Sequence, residues 1–134
     1  MVIVDSDVWS EAFRKKGEVS LSVHTLRNLI TEGEVTMIGP IRQEILSGIK
    51  ETERYEKIKD ALRAFPSQRI EEPSYEMAAS FFNRCRIKGI QGSHTDYLIC
   101  ACAIVWKARI LTKDKDFTRY AKYLPIELGV RQNS

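Results

Sequence analysis

The chain has 134 residues, 43% of them hydrophobic and 29% charged, with a formal net charge of +3. That length sits near the commonest single-domain size and allows a real core, with about two-thirds of the unfolded surface removed from water on folding. No apolar run approaches the roughly 20 residues of a membrane helix. The start of the chain has neither the basic region nor the cleavage site of a signal peptide. We therefore expect one cytoplasmic domain over residues 1–134 with no membrane partner. So mild a charge names no partner by itself, and its placement has to carry that argument.

In chain order, "VIVD" at 2–5 reads as a short buried strand ending in an acid. Residues 6–16 read as a helix, closed by Arg14, Lys15 and Lys16 and then Gly17, a basic last turn followed by a stop. Residues 22–32 place Val23, Leu26, Leu29 and Ile30 on one helical face, and Gly33 ends that helix. "EVTMI" at 34–38 reads as a second strand, and Pro40 opens a helix with Ile41, Ile45 and Ile49 at intervals of four. A further helix carries Tyr55, Ile58, Leu62 and Phe65, and a brief strand is expected near Gln68–Glu71. Pro73 opens the next helix, with Met77, Phe81, Phe82 and Cys85 toward the core.

Residues 94–107 form a helix that is apolar all round after its first turn, hence buried on several sides. "RILT" at 109–112 reads as a strand, "KDKDF" as a loop into a helix running through Tyr123, and "IEL" at 126–128 as a last strand. Cys85, Cys100 and Cys102 lie in helical apolar runs without a CxxC pair and are expected to be reduced and buried. Short strands alternating with helices imply a parallel sheet covered on both faces, joined by right-handed crossovers. In such sheets functional groups collect beyond the carboxyl ends of the strands, where strand order reverses.

Several acids fall at such places. Asp5 ends the first strand, and Asp114 follows Thr112 by two residues at the end of the fourth. Asp96 starts the most buried helix, and Glu44 borders the apolar face of its own. Each also has a purely structural use. Asp5 or Asp7 can cap the first helix, Ser93 with Asp96 resembles a capping box, Asp114 or Asp116 can cap the last helix, and Glu44 can be solvated. If the carboxylates meet, their repulsion raises their pKa values or demands a cation. The sequence has two histidines and no Cys or His pair at metal-ligand spacing, so the available donors are hard oxygens, suited to magnesium or manganese. A water activated there can attack a phosphodiester.

The stretches "VDSDVWSEAF", "GPIRQEILSGI" and "HTDYLICACAIVWKARILTKDKDF" resemble the successive motifs of the PIN domain, in particular the single-domain VapC-type toxins, over residues 2 to about 128. The resemblance implies a three-layer α/β/α sandwich with a short parallel sheet and a magnesium-dependent endoribonuclease site. Carried over by position, it makes Asp5, Glu44, Asp96 and Asp114 the catalytic, metal-holding acids, with Asp116 able to share or replace the role of Asp114. Asp5 and Asp96 are the foremost direct ligands, and Ser6 and Thr112 match polar positions that brace the site. The slot of Asp7 more often holds Asn or Ser in the family. Asp7 is then either a fifth metal-side acid or a helix cap, and the general preference of Asp for N-caps favours the cap. The resemblance also implies an RNA substrate, Mg2+ (or Mn2+) as cofactor, a cognate antitoxin that masks the site, and a homodimer.

Arg14, Lys15, Lys113 and Lys115 are candidates for a basic rim that meets the RNA backbone, against the alternative of an ordinary solvated surface. Trp9, Phe13 and Trp106 sit at helical spacings that favour core packing over base stacking. Two other functions stay open at this level. "DSDVW" also fits the signature of haloacid-dehalogenase-like phosphatases with Asp5 as nucleophile, which leaves Glu44 and Asp96 without a role. The other is a PIN-like module that binds RNA or protein without cutting.

Overall fold

The computed structural model describes residues 1–14 and 16–129. Within them, strand β1 (Val2–Val4) leads into helix α1 (Ser6–Arg14), followed by α2 (Leu21–Glu32), β2 (Val35–Thr36), α3 (Gly39–Leu46), α4 (Thr52–Leu62), α5 (Glu72–Ile87), α6 (His94–Val105), β3 (Arg109–Leu111) and α7 (Asp116–Tyr120). The three strands form one parallel sheet in the order β2-β1-β3. Val2, Ile3 and Val4 are all buried although they point alternately to opposite faces, so both faces of the central strand are covered. This is the α/β sandwich expected from the alternation of elements. Among the described residues no helix is long and apolar enough to cross a membrane.

Local chemistry sets the helix ends. The Ser20 side chain accepts from the Val23 N–H to start α2, and Gly33, at φ 71, takes the left-handed cap that ends it. Ser93 plays the same N-cap part for α6 by accepting from the Asp96 N–H at 3.0 Å. Along α6, Tyr97 to Ala103 are all buried, and the helix packs on β1 and β3 with α5 against it. Lys107, at φ 55, turns the chain out of α6 toward β3. Trp9 is buried against Phe13 and Phe65, as its helical spacing predicts, and Trp106 is partly buried against the core. The three cysteines are free and buried.

The second strand and the helices expected to carry Ile49 and Phe65 run shorter, ending at Thr36, Leu46 and Leu62, and three other elements differ more. The strand near Gln68–Glu71 is reduced to a single parallel bridge between Met37 and Ser67, extended by the Gln68 N–H donating to the Met37 carbonyl at 2.9 Å. Ile70 is the one apolar side chain of that stretch, too little to bury a strand face. The strand at 126–128 is likewise one bridge, Ile110 with Leu128, confined between Pro125 and Gly129. The last helix stops at Tyr120 and continues only as turns to Tyr123, because Pro125 disfavours a helical conformation in the residue before it.

Candidate active site

β1 lies between its two neighbours, so strand order reverses there, and the carboxyl ends of β1 and β3 are where such a sheet gathers functional groups. Asp5 continues β1 by one residue, its N–H donating to the Leu111 carbonyl at 2.9 Å. The side chain is 6% exposed. Both carboxylate oxygens are held: Oδ1 accepts from the Ser6 N–H at 2.8 Å, and Oδ2 accepts from the Thr112 hydroxyl at 2.8 Å. Thr112 in turn accepts from the Asp114 N–H at 3.0 Å, and Asp114 Oδ1 accepts from the Asp116 N–H at 2.9 Å. The loop after β3 is thus wound around one hydroxyl that faces Asp5.

Burial pushes the Asp5 carboxyl up to about 7; the Thr112 bond opposes the rise, and repulsion from Asp7 and Asp96 adds to it. Burial also raises Asp7, against the pull of the Lys113 N–H and with repulsion from Asp114. Burial raises Asp96 too, opposed by the Tyr120 and Ser93 bonds and reinforced by Asp114 and Asp116. Asp5, Asp7, Asp96, Asp114 and Asp116 therefore share one field at one end of the sheet. Glu44 joins them from α3: it is exposed, and its Oε1 accepts from the Ser6 hydroxyl at 3.0 Å.

Asp7 does not cap α1, contrary to the cap reading. It sits in the first turn and reaches across to the loop after β3, where Oδ2 accepts from the Lys113 N–H at 3.0 Å. The reason is proximity: Asp5 already occupies the position before the helix. Asp7 Oδ1 is buried with no hydrogen-bond partner among the described residues. The capping-box resemblance at Ser93 is half realised, since the Asp96 carboxylate turns to Tyr120, whose hydroxyl donates to Oδ2 at 2.7 Å. Asp114 does bind the backbone at the start of α7, so it serves the turn and the acidic field together.

The basic candidates separate. Lys113 is exposed, but its ammonium meets the buried Glu11 Oε1 at 2.7 Å, so it is engaged in an ion pair at the surface. Arg14 and Lys115 are exposed, Arg14 beside a groove of about 300 Å³ between α1, α3 and α4. Lys15 lies outside the described residues. Glu11, which the sequence reading passed over, is 3% exposed and accepts from Ser20 N–H, Ser20 hydroxyl and Lys113, each at 2.7 Å. Tyr120 was passed over as well, because an aromatic at helical spacing reads as core.

The donor set fits a hard divalent cation in its chemistry. It consists of carboxylates whose charged forms are disfavoured by burial and by one another, beside a buried carboxylate oxygen that lacks a partner among the described residues. Among the described residues no three acidic, Cys or His side chains form a ready-made cage. Magnesium does not need one, because it keeps several waters and takes one or two carboxylates.

The PIN-domain sequence profile matches residues 2–123. The VapC ribonuclease Mb1587 of Mycobacterium bovis is 31% identical over 126 residues, covering 91% of this chain and 92% of that protein. Ribonuclease VapC11 of Mycobacterium tuberculosis aligns with the same identity and coverage. Among solved structures, FitAcB from Neisseria gonorrhoeae superposes with a TM-score of 0.75 at 16% identity, over 96% of each chain. VapBC2 from Rickettsia felis, bound to a DNA fragment from its promoter, gives a TM-score of 0.76 at 17% identity with the same coverage. At such identities these structures speak to the fold.

Proposed function

The chain belongs to the PIN-domain family, and from that premise we propose that it is a VapC-type endoribonuclease, the toxin of a toxin–antitoxin pair, that cleaves RNA phosphodiester bonds with magnesium or manganese. One observation carries the reading: Asp5, buried at the sheet's switch point with both oxygens held, stands among acids that repel it. The similarity to two VapC ribonucleases along nine-tenths of the chain supports it.

In this reading Asp5 and Asp96 would hold the cation, with Glu44 and Asp114 completing the anionic surround and Asp116 next to Asp114. When bound, the ion supplies stabilisation of the charge that develops on the phosphate and makes nearby water more acidic. The side chains do the rest. Ser6 and Thr112 fix the plane of the Asp5 carboxylate, so that it does not have to reorganise during reaction. Asp5, which burial favours in its protonated form, gives up that proton on loading. Glu44 is exposed and oriented by Ser6, which makes it the acid able to accept a proton from the attacking water. Arg14 and Lys115 are available to the RNA backbone, whereas Lys113 is engaged with Glu11.

A cognate antitoxin covering the acidic end would silence it, and pairing into a homodimer completes the family's usual assembly. The phosphatase reading of Asp5 has no support left, since it gives Glu44 and Asp96 nothing to do. The test is single-turnover cleavage of several structured RNAs with Mg2+, with Mn2+ and with EDTA. Cutting that needs the ion and disappears in Asp5→Asn is the expected result. Cleavage that survives in EDTA or in Asp5→Asn overturns the mechanism, and inactivity on every RNA favours the non-cleaving module.

A further inference from the structure

Asp96 is held by a phenol that comes from an element 24 residues further along the chain. Tyr120 is fully buried, with its ring 5.0 Å from that of Tyr97 and 5.1 Å from that of Phe117. A phenylalanine would fill that space without the cost of desolvating a hydroxyl. The neighbouring Tyr97 shows the cost, because its hydroxyl is buried with no hydrogen-bond partner among the described residues. The Tyr120 hydroxyl instead donates to Asp96 Oδ2 at 2.7 Å, the short distance of a charge-assisted bond.

The approach depends on Gly92. A Cβ there would stand 2.5 Å from Tyr120 Oη and 2.8 and 2.9 Å from the adjoining ring carbons. The ring is clamped by its aromatic neighbours, so it cannot swing aside cheaply. Gly92 therefore serves the hydroxyl's position, through the room it leaves. Rotation about an Asp χ2 is broad and roughly two-fold. Repulsion from Asp114 and Asp116 acts on this carboxylate, and the Tyr120 bond, with a weaker one to Ser93, holds it against turning to relieve that repulsion.

We propose that Tyr120 is a positioning residue for the reaction: seated against Gly92, it locks Oδ2 of Asp96 and so leaves Oδ1 presented to the divalent ion. This rests on the nuclease reading of the site and adds to it two residues that belong to no acidic motif. Partners of this kind around a metal ligand are typically worth about 10–100-fold in ion affinity or activity.

The experiment uses the full chain and two readouts: Mn2+ affinity from the electron paramagnetic resonance of free Mn2+, and kcat and KM for a cleaved RNA. Tyr120→Phe, which keeps the ring and its packing, is expected to weaken Mn2+ binding and lower kcat by about tenfold each, with KM for RNA unchanged. Gly92→Ala is expected to reproduce both losses without removing a polar group. The double variant should be no worse than the worse single one, because both changes break the same bond. Wild-type Mn2+ affinity and kcat in Tyr120→Phe overturn the proposal, as do losses that multiply in the double variant. If Gly92→Ala does not fold, Tyr120→Phe alone decides. A wild-type protein that binds Mn2+ yet cuts no RNA removes the nuclease reading and leaves the Mn2+ measurement to judge Tyr120. A wild-type protein that binds no Mn2+ overturns both.

Discussion

Thr112 donates to Asp5 at the carboxyl ends of the paired strands β3 and β1 at 2.8 Å, joining two residues 107 positions apart in the chain. The same hydroxyl oxygen accepts the Asp114 N–H. One side chain thereby sets the plane of the central acid and the path of the loop that carries another.

Thr112→Val should separate these duties from packing, since it keeps the shape and removes the hydroxyl. Losing the one side-chain donor that opposes burial moves the Asp5 carboxyl above its present value of about 7. The acidic limb of the cleavage profile should therefore shift to higher pH, with kcat down by about tenfold at neutral pH. Thr112→Ser should recover most of the activity. A Val variant with an unmoved pH profile would show that the bond does not tune Asp5.

Asp5 also makes the ion-free fold pH-sensitive. Its carboxyl is raised from 3.8 to about 7, so the folded state holds the proton more tightly than the unfolded one. Between these values stability falls as pH rises, and the full cost is present above about 7. In EDTA, Asp5→Asn should raise the Tm at pH 8 by several degrees, on the order of 1–4 kcal/mol, and much less at pH 4. Mg2+ should raise the wild-type Tm at pH 8 and leave that of Asp5→Asn nearly unchanged. Differential scanning fluorimetry across pH 4–8 tests both, and an Asn variant that melts lower at pH 8 contradicts the assignment.

Glu11 behaves in the opposite sense. The Lys113 ammonium first, and then the two Ser20 donors, hold its carboxyl down at about 2, below the ordinary 4.5. Its stabilisation is present above about 4.5 and is lost as pH falls toward 2. Glu11→Gln and Lys113→Met should each lower the Tm at pH 7, and the gap to wild type should narrow on acidification in the Gln variant. Because the Lys113 ammonium is committed to Glu11, Lys113→Met should leave KM for RNA within about twofold, whereas loss of a phosphate contact weakens binding and its salt dependence. A large rise in KM without a change in Tm would return Lys113 to the RNA-facing rim.

The acids of the site could be read from the chain because each stands at a boundary that sequence marks well. Asp5 follows a fully apolar run, Asp96 opens the helix that is apolar all round, and Asp114 follows a strand. Boundaries of that kind come from burial and periodicity, which are local properties. Less legible were the groups that act across the fold. Tyr120 looks like one more core aromatic, and only its bond to Asp96, in the room left by Gly92, gives its hydroxyl a purpose. Glu11 lies three residues after the buried Val8 in α1, a spacing that could have flagged an acid facing inward. Asp7 was misread as a cap because propensity sees only the adjacent helix, whereas its partners lie on the loop after β3. The strands expected near residues 68–71 and 126–128 shrank to single bridges for the same reason, since one pairing residue leaves almost no pattern.

The free, buried cysteines carry a consequence for handling and for life under stress. Burial holds the thiols of Cys100 and Cys102 well above their usual range, Cys102 at about 11, so hardly any thiolate exists at neutral pH to meet an oxidant or alkylating reagent. In the intact fold these two thiols should pass unmodified through peroxide or iodoacetamide. Labelling of these sulfurs then becomes a clock that starts only when the molecule opens.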